Sequence, residues 1–360
     1  METFATKATR SSLVRDILKL FPKLGGVGHK GQSGKLVVLG GSKDYTGAPF
    51  YAAISSIRAG GDLCKVLATA EASPIIKGYS PELIVTPYDE IDFSKDESQE
   101  KIDTLKSKLK FYHTLVMGCG LGIDGEMKQK NDPIMLKQLM THAAETNMML
   151  VGDADFCHYL KSSKIVMDLY TSPDEALRIP ERTILTPNIM EFKRIWNSLY
   201  SEDYDPEYSL IDLYESLSED IGELDLSLSI SQDVTRVANS LNGATILKKG
   251  LVDIISDGNR VFYVKTKGSL KRCGGQGDVL AGTIGTYAYY AKLVKENEET
   301  VLESFTKEEN PLLLAAVAGS VITRMACSAA FEMKGRSLAL PDILENYRVE
   351  EYLESLKSSI

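Results

Sequence analysis

The residues best suited to chemistry stand together in one glycine-rich stretch of the chain. Gly274, Gly275 and Gly277 precede a long apolar helical pattern, and Asp278 comes next. Backbone amides at a helix N-terminus lack partners within the helix, so they can surround an anion such as a phosphate group. A carboxylate in the first turn can take a proton from a hydroxyl group that attacks phosphorus. This stretch therefore predicts phosphate binding, and a plain glycine turn with Asp278 as its helix cap is the structural alternative.

Three other polar turns also follow predicted strands. Lys249 and Gly250 join two strands, and such a turn suits either the base or ribose of a nucleotide or an ordinary hairpin. Asn188 and Glu191 open a helix after a proline, a pattern that also fits a simple capped helix start. Residues 118–122 read Gly-Cys-Gly-Leu-Gly, which lets a ligand approach the backbone but lacks the full dinucleotide-binding fingerprint.

Short apolar runs alternate with helix-length segments along most of the sequence, which predicts βαβ units and an α/β fold. The sheet should be largely parallel and buried on both faces. The carboxyl ends of parallel strands share one edge, where open α/β sheets bind ligands, so the polar turns are expected to meet there. Long helical patterns cover 279–295 and 311–333, and the last two predicted strands form a hairpin. The predicted strands are residues 35–39, 63–68, 83–85, 114–117, 149–152, 183–185, 244–247, 253–256 and 261–264.

The composition restricts the class of protein. The chain has 360 residues, of which 43% are hydrophobic and 25% are charged, an ordinary globular balance. Its formal net charge of −9 argues against a nucleic-acid-binding or anionic-membrane-binding surface. The five cysteines and four histidines form no CxxC, HxxxH or HExxH pattern, so neither a disulfide framework nor a zinc site is expected. The most apolar stretch, 311–322, is interrupted by Thr323 and Arg324 before it is long enough to span a bilayer.

The sequence predicts one domain over residues 13–348, with a single compositional break. Residues 196–235 contain eleven Asp or Glu residues and no Lys or Arg. Charge runs usually face water, so we expect a partly helical acidic insertion on the surface. A partner-binding segment is the alternative interpretation.

The N-terminus has a weak likeness to a targeting segment. Lys7, Arg10 and Arg15 stand among Ser and Thr residues, as in a transit peptide, whereas Glu2 and Asp16 oppose that interpretation. The same segment fits a first amphipathic helix. We expect a cytoplasmic protein and leave a minor mitochondrial fraction open.

The ordered set of motifs resembles the ATP-dependent NAD(P)H-hydrate dehydratases, a branch of the ribokinase-like superfamily. The glycine-rich stretch alone indicates only the superfamily, whereas the His-Lys-Gly opening at His29 and the turns at 40–42 and 118–122 indicate this branch. The resemblance implies a three-layer αβα sandwich around a central, mostly parallel sheet. The matching motifs lie, in chain order, at residues 29–34, 38–42, 45–49, 118–122, 152–155, 185–192, 249–253 and 274–282.

The resemblance also implies repair of damaged nicotinamide cofactors. Water adds across a ring double bond of NADH or NADPH, and members of this family use ATP to remove it from the S epimer of the hydrate, forming ADP and phosphate. Hydroxide is a poor leaving group and phosphate is a good one, which explains how a kinase fold serves a dehydration. In this chain Asp278 would take the hydroxyl proton, and Gly274, Gly275 and Gly277 would hold the phosphoryl group.

Carried over residue by residue, the resemblance assigns two binding regions. Mg²⁺ is expected together with ATP; its ligands are unknown, and Asp153 and Asp155 are candidate carboxylates near it. The implied ATP-binding residues are Lys249, Gly250, Leu251, Val252, Asp253, Gly268, Ser269, Leu270, Lys271, Arg272, Cys273, Gly274, Gly275, Gln276 and Gly277. The implied residues for NADH hydrate and NADPH hydrate are Gly120, Gly122, Asn188, Ile189, Met190, Glu191, Phe192, Lys193, Arg194 and Asp278.

The resemblance implies functional pairing with a separate NAD(P)H-hydrate epimerase, because the chain has no room for the fused epimerase domain found in many bacterial members. It allows a homo-oligomer and leaves the preference between NADH and NADPH open. Two alternatives stand beside it: a kinase of the same superfamily that phosphorylates a vitamin precursor, and a non-catalytic nucleotide-binding regulator, against which Asp278 argues. ATP turnover that depends on the hydrate, and not on a vitamin precursor, separates the three.

Overall fold

A computed structural model describes residues 8–360 of the chain except residues 24, 26–29, 90, 124, 125, 173, 175 and 207, and it describes residues 126–130 by their backbone alone. Ten strands in this part of the chain form one sheet. The strands are β1 (Lys35–Leu39), β2 (Leu63–Ala68), β3 (Ile84–Pro87), β4 (Thr114–Met117), β5 (Met149–Gly152), β6 (Thr183–Leu185), β7 (Ile221–Glu223), β8 (Thr245–Lys248), β9 (Asp253–Ser256) and β10 (Val261–Val264). The α-helices are α1 (Arg10–Leu20), α2 (Gly47–Arg58), α3 (Ser73–Tyr79), α4 (Gln99–Leu109), α5 (Glu126–Glu145), α6 (Asp155–Ser162), α7 (Lys164–Thr171), α8 (Ile189–Tyr200), α9 (Leu210–Ser216), α10 (Ser229–Ser240), α11 (Gln276–Glu296), α12 (Leu312–Lys334), α13 (Leu340–Glu345) and α14 (Val349–Lys357).

The strand order across the sheet is β3-β2-β1-β4-β5-β6-β8-β9-β10-β7. The strands from β3 to β8 in this order pair in parallel, and β9, β10 and β7 add antiparallel pairs on one side. The predicted hairpin is β9–β10, which turns at Gly258 with a φ of 96°. The predicted mostly parallel α/β sheet is therefore confirmed.

Helices cover both faces of the sheet because successive strand residues point to opposite sides. In β1, Leu36 and Val38 pack into one core with residues of α1, α2, α11 and α12. Val37 and Leu39 pack into a second core with residues of α4, α5, α6 and α8. The three-layer αβα arrangement that the resemblance implied is therefore confirmed.

The long helix predicted over 311–333 is confirmed as α12, whereas the expectation that its apolar stretch is too short to span a bilayer is wrong. In the part of the chain that the structure describes, Leu312–Ser337 is the one segment that is long and apolar enough to cross a membrane. However, 78% of its most apolar window is buried inside the protein. Such burial is typical of a core helix that is hydrophobic on most of its surface.

The acidic segment 196–235 is more than a surface insertion. It includes the end of α8, all of α9, the edge strand β7 and the start of α10, while Glu207 lies outside the described residues. The strand β7 pairs with β10, and Trp196, Tyr204 and Ile221 are buried. These three residues face the core, whereas Ile211 and Leu226 of the same segment are exposed, so the net charge of the segment does not describe its packing.

Candidate active site

The turns that follow β1, β4, β5, β6 and β8 meet at one edge of the sheet, as their parallel arrangement requires. Backbone hydrogen bonds continue beyond the strands and join these turns. The Gly41 amide donates to the Gly120 carbonyl oxygen at 2.9 Å, and the Lys249 amide donates to the Pro187 carbonyl oxygen at 2.8 Å. The motifs singled out in the sequence therefore lie side by side.

Gly118, directly after β4, has no side chain, so the turn after β5 can pack directly against the backbone at this residue. A Cβ atom at Gly118 would lie 1.9 Å from the Asp153 carbonyl oxygen, and the residue has a φ of 109°. Ala154 has a φ of 46°, an uncommon value for a residue with a side chain. This strained turn holds Asp153 beside β4, and Asp155 accepts a hydrogen bond from the Gly122 amide at 2.8 Å.

Asp153 and Lys249 form a buried ion pair at the ends of β5 and β8. Lys249 Nζ lies 2.6 Å from Asp153 Oδ1, which also accepts a hydrogen bond from the Thr186 hydroxyl at 2.8 Å. Burial alone would lower the pKa of Lys249, but the charges of Asp153 and Glu191 outweigh burial and raise that pKa. Lys249 is therefore a permanently charged cation in a fixed position.

Helix α11 starts after the glycine-rich turn, with Gly275 as its N-cap and Asp278 in its first turn. Asp278 is thus not the helix cap, and no side chain caps this N-terminus. Gly275 has a φ of 93°, and a Cβ atom at this residue would lie 2.2 Å from Leu340 Cδ2. A Cβ atom at Gly277 would lie 3.3 Å from Lys249 Nζ. The helix N-terminus and a lysine therefore face the same space, an arrangement that suits a phosphate group.

Asp278 is a carboxyl group whose neighbours favour the protonated form. Burial and the charge of Asp153 raise the pKa of Asp278 to about 7, while a hydrogen bond from the Cys119 thiol and the charge of Lys249 oppose the shift. Burial also raises the pKa of Cys119, so the thiol stays protonated and can donate. A carboxyl group that titrates near neutral pH is suited to accept and release a proton.

Among the residues that the structure describes, the side chains around Asp278 do not form a cage for magnesium. The donor atoms of Cys119, Asp153 and Asp278 lie within 4.8 Å of one another. Mg²⁺ takes oxygen ligands, which a thiol does not supply, and Lys249 already contacts Asp153 Oδ1. The other candidate carboxylate, Asp155, holds the Gly122 amide. The cluster fits an ion that arrives with a polyphosphate and keeps phosphate and water oxygens as most of its ligands.

The Lys-Gly turn and the glycine-rich stretch enclose a cavity of about 510 Å³. This volume lies in the range typical of pockets for small-molecule ligands. The cavity adjoins the Asp153–Lys249 ion pair on one side and reaches α12 on the other. The residues predicted to bind ATP that line it are Lys249, Gly250, Leu251, Val252, Asp253, Gly268, Ser269, Arg272, Cys273, Gln276 and Gly277.

Arg324, from α12, holds the Lys-Gly turn in place, and sequence reasoning missed it. Its guanidinium lies 2.8 Å from Asp253 Oδ1 and donates to the Gly250 carbonyl oxygen at 2.9 Å. The Gly250 amide and the Ser320 hydroxyl donate to the same carboxylate at 2.8 and 2.7 Å. Asp253 is therefore occupied by protein donors and supports the turn. A lone arginine in an apolar helical pattern is the signal that points to such a buried partner.

Four of the residues predicted to bind ATP do not line this cavity, namely Leu270, Lys271, Gly274 and Gly275. Leu270 is 84% exposed, and Lys271 Nζ donates to the carbonyl oxygens of Arg336 and Leu338 at 2.7 and 2.8 Å. Lys271 thus fastens the stretch to the segment after α12. The side chains of Leu270 and Lys271 thus lie away from the cavity, and their contact with ATP stays a prediction.

Sequence comparison distinguishes this chain from other proteins with the same fold. A family model described as NAD(P)H-hydrate dehydratase matches residues 36–348. The chain belongs to the NAD(P)H-hydrate dehydratase family. The resemblance inferred from the order of the motifs is thereby confirmed.

Relatives in this family align with nearly the whole chain. The ATP-dependent (S)-NAD(P)H-hydrate dehydratase of Mycosarcoma maydis is 34% identical over 347 residues, which cover 94% of this chain and 87% of the relative. The Arabidopsis thaliana protein of the same name is 35% identical over 352 residues, which cover 94% of this chain and 83% of the relative.

Solved structures confirm the ribokinase-like fold. A ribokinase-like superfamily protein from Enterococcus faecalis superposes with a TM-score of 0.62 at 17% identity, covering 95% of this chain and 94% of that one. An ADP/ATP-dependent NAD(P)H-hydrate dehydratase from Bacillus subtilis, co-crystallised with ATP/Mg²⁺, gives a TM-score of 0.59 at 15% identity, covering 95% and 97%. At these identities the comparison concerns the fold alone.

The dehydratase resemblance assigned residues 188–194, at the start of α8, to substrate binding. In the structure some of their side chains hold the helix start or pack in the core, and others are exposed. Asn188 Oδ1 accepts hydrogen bonds from the Met190 and Glu191 amides at 2.9 and 3.0 Å. Glu191 in turn accepts one from the Asn188 amide at 2.8 Å. These two side chains form a capping box, so their polar atoms hold the helix start. Glu191 also lies 3.9 Å from Lys249 Nζ, which connects the helix start to the ion pair.

The side chain of Phe192 does not reach the crevice, so only its backbone is available to the substrate there. The ring is fully buried, with Lys248 Nζ 4.7 Å from its centre. Phe192, Ile195 and Trp196 are the buried residues of α8, and their spacing of three and four residues is that of one core-facing side of a helix. Val252 is likewise buried, so only its backbone is available to the cavity.

The other substrate candidates on α8 are accessible. Ile189 is 41% and Met190 55% exposed, and Arg194 is also exposed. Lys193, between them in α8, is half-buried. On the opposite side of the crevice, a Cβ atom at Gly120 would lie 2.8 Å from Tyr45 Cβ, so this glycine brings the turn after β4 against the start of α2.

His29, which opens the first motif of the resemblance, lies outside the described residues. The part of the motif that the structure describes is held by Asp62. Its carboxylate accepts hydrogen bonds from the Gly31 and Ser33 amides, both at 2.8 Å. This contact fixes the backbone that leads into β1.

Proposed function

We propose that this protein is an ATP-dependent (S)-NAD(P)H-hydrate dehydratase, which removes water from hydrated NADH and NADPH with formation of ADP and phosphate. Membership of the family and 34% identity to the Mycosarcoma maydis enzyme support this activity. The observation that carries the proposal is the position of Asp278. It lies at the uncapped N-terminus of α11, within reach of Asp153 and beside a cavity that suits a nucleotide.

The reaction starts with phosphorylation of the hydrate. The hydroxyl oxygen on the nicotinamide ring attacks the γ-phosphorus of ATP, the bond from phosphorus to ADP breaks, and Asp278 takes the hydroxyl proton. The Gly275 and Gly277 backbone at the helix N-terminus stabilises the negative charge that develops on the phosphoryl oxygens. Asp278 suits this step because its pKa of about 7 leaves much of it ionised at neutral pH.

Elimination then restores the reduced nicotinamide ring. The lone pair of the ring nitrogen expels phosphate, which leaves with the electron pair of the carbon–oxygen bond. Loss of a ring proton restores the double bond and gives NADH or NADPH. Lys249 assists because its fixed ammonium group, held by Asp153, offsets charge on the phosphate group.

Magnesium belongs to the nucleotide in this proposal. The ion would reach the site bound to ATP, where it would neutralise phosphate charge. The cluster of Asp153, Asp278 and Cys119 offers too few free oxygen atoms for a resident magnesium site. We therefore assign no protein ligand to the ion.

The test of this function follows the absorbance of the reduced nicotinamide ring after the full-length protein is mixed with ATP, magnesium and a mixed-epimer NADH hydrate. We expect recovery of about half the absorbance, with ADP formed in step, because one epimer is the substrate. No recovery, together with ATP consumption on a hydroxymethylpyrimidine or thiazole alcohol, would identify a vitamin-precursor kinase instead.

A second part of the proposal concerns partners and location. We propose that a separate NAD(P)H-hydrate epimerase supplies the S epimer, and that both proteins act in the cytoplasm. Adding a purified epimerase to the assay should raise recovery from about half to nearly complete. Full recovery without the epimerase would contradict the pairing, and a fluorescent fusion confined to mitochondria would contradict the location.

A further inference from the structure

A second large cavity lies at the opposite edge of the sheet from Asp278. It encloses about 640 Å³ at the amino ends of β5, β6 and β8, where α11 ends and α12 begins. Asp278 lies in the first turn of α11, whereas Lys292 is near its last turn. A helix of 21 residues is about 30 Å long, so this cavity is separate from the candidate active site.

Asn147 holds two cations together on one wall of this cavity. Arg182 Nη1 donates to Asn147 Oδ1 at 3.0 Å, and Lys292 Nζ donates to the Asn147 carbonyl oxygen at 3.0 Å. Asn147 is uncharged, and its φ of 59° places it in the left-handed region. The turn before β5 therefore fixes the positions of an arginine and a lysine without neutralising either of them.

These two cations have little compensating charge. The structure shows no ion pair for the Arg182 guanidinium among the described residues, and Lys292 forms one ion pair, with Glu296 at 3.8 Å. Lys292 is half-buried, with 18% of its side chain exposed. Burial lowers the pKa of both groups. The charge of Arg178 lowers that of Arg182 further and the charge of Arg182 lowers that of Lys292, while Glu181 and Glu296 oppose these shifts. The charged form of each group is therefore disfavoured at this position, and a bound anion would stabilise it.

Most of the other charges around the cavity are already paired. Arg178 forms an ion pair with Glu181, and Arg260 forms ion pairs with Glu223 and Glu309. The Arg182–Lys292 wall of the cavity thus contains a guanidinium with no ion pair among the described residues and a lysine with one ion pair at 3.8 Å, while Asp257 and Glu308 add negative charge elsewhere in the lining.

We propose that this cavity binds a phosphorylated small molecule, with its phosphate group between Arg182 and Lys292. A phosphate group carries more negative charge than a carboxylate and so matches two cations better. The cavity is far larger than inorganic phosphate, which leaves room for an organic part. That part would extend along the carboxamides of Asn242 and Asn310, which also line the cavity.

Calorimetric titration with pyrophosphate tests the site in the full-length protein. A saturating non-hydrolysable ATP analogue is included so that the candidate active site is filled. We expect one binding event, weakened about tenfold or more in Arg182→Gln, because a charge-assisted hydrogen bond is lost. Lys295→Gln is the matched control, since Lys295 lines the same cavity but makes no contact with Asn147. It should change the affinity less than about twofold.

Three outcomes would overturn the proposal. The first is that pyrophosphate does not bind while the ATP analogue is present. The second is that Arg182→Gln and Lys295→Gln lose equal amounts of pyrophosphate affinity. The third is that malonate binds more tightly than pyrophosphate, which would identify the ligand as a dicarboxylate rather than a phosphorylated molecule. If Arg182→Gln is poorly folded by its melting temperature, Lys292→Met serves as the second variant, and unchanged affinity in that variant also overturns the site. None of these results depends on the dehydratase activity.

Discussion

Asp278 has an environment that keeps a carboxyl group close to half ionised at neutral pH. Its burial and the charge of Asp153 act in one direction, while Lys249 and the Cys119 thiol act in the other. The balance gives a pKa of about 7 rather than the ordinary value near 4. A base with this pKa still accepts a proton readily at physiological pH.

The acidic side of the pH–rate profile should therefore reflect the ionisation of the Asp278 carboxyl group. Below a pH of about 7 the carboxyl group becomes protonated and can no longer accept the hydroxyl proton. We expect kcat/KM for the hydrate to fall about tenfold per pH unit well below this value. Steady-state rates between about pH 5.5 and 8.5 check this, and a profile that stays level down to about pH 5.5 would contradict the assigned role.

Cys119 should tune the pKa of that base. The thiol hydrogen bond lowers the pKa of Asp278, so Cys119→Ala should raise the pKa and move the acidic limb of the profile to higher pH. Cys119→Ser keeps a hydrogen-bond donor and is the matched control. The acidic limb of its pH–rate profile should lie close to that of the unchanged protein. The pH dependence of kcat/KM is the measurement, and identical limbs in both variants would show that the thiol does not act on Asp278.

At the scale of elements, the glycine-rich turn and α11 place the amides of the phosphate site. Gly275 adopts a φ of 93° and is packed against Leu340, whereas a Cβ atom at Gly274 would meet no other atom within 4 Å. Two adjacent glycines of one motif thus differ in their need to be glycine. The sequence motif alone does not distinguish them, because the difference lies in backbone angle and packing.

The alanine variants of these two glycines should differ in stability. Gly275→Ala should lower the free energy of unfolding by about 1–3 kcal/mol, because alanine is strained at this φ. Gly274→Ala, the matched control, should change it by less than about 0.5 kcal/mol. Urea denaturation measures both values, and equal losses would contradict the assigned conformation of the turn.

The acidic segment docks onto β8 through a buried lysine. Lys248 is 3% exposed, its Nζ donates to the Tyr204 and Tyr208 hydroxyls, and burial lowers its pKa to about 8. The folded state therefore releases this proton at lower pH than the unfolded chain, whose lysine pKa is about 10.4. Between these values the unfolded state binds more protons, so this group makes the protein more stable as pH rises.

Lys248→Met should remove this contribution. From about pH 8 to 10, the stability of the unchanged protein relative to the variant should rise by up to about 1.4 kcal/mol per pH unit. Comparing the two proteins cancels the titration of groups that they share. Urea denaturation across this range is the measurement, and a constant or falling difference would contradict the lowered pKa.

At the scale of the whole molecule, the sequence was sufficient to predict the parallel strands and the edge of the sheet where the motifs meet. Strands such as β1 and β4 are short apolar runs that end in glycine, which is a strong local signal. The short edge strand β7 was missed because its residues, Ile221–Glu223, lie in a segment whose charge suggested a solvated surface. Its partner β10 comes much later in the chain, and local patterns do not contain such pairings.

The sequence predicted which motifs form the candidate site but not which side chains in it contact one another. Lys249 and Asp153 were recognised in separate motifs, yet their ion pair depends on the neighbouring ends of β8, β6 and β5. Arg324 was missed for the same reason, since it reaches Asp253 from α12. The buried side chain of Phe192 was not foreseen because the family motif does not contain the helical spacing that turns this residue toward the core.

The two cavities discussed above lie at opposite edges of the sheet. The carboxyl edge holds Asp278 and the nucleotide-sized cavity, and the amino edge holds the Arg182–Lys292 wall. Helix α11 contributes to both. An acidic protein with a net charge of −9 can thus still bind anions, because helix amides and a few buried cations supply local positive potential.

The most direct test of the central claim measures NADH and ADP together in one reaction, with the unchanged protein and with Asp278→Asn. The asparagine keeps the shape of the side chain but cannot take the proton. We expect equimolar NADH and ADP from the unchanged protein, and a loss of both by about a hundredfold or more in the variant, with ATP binding largely preserved. Near-normal formation of NADH by Asp278→Asn would show that Asp278 is not the base.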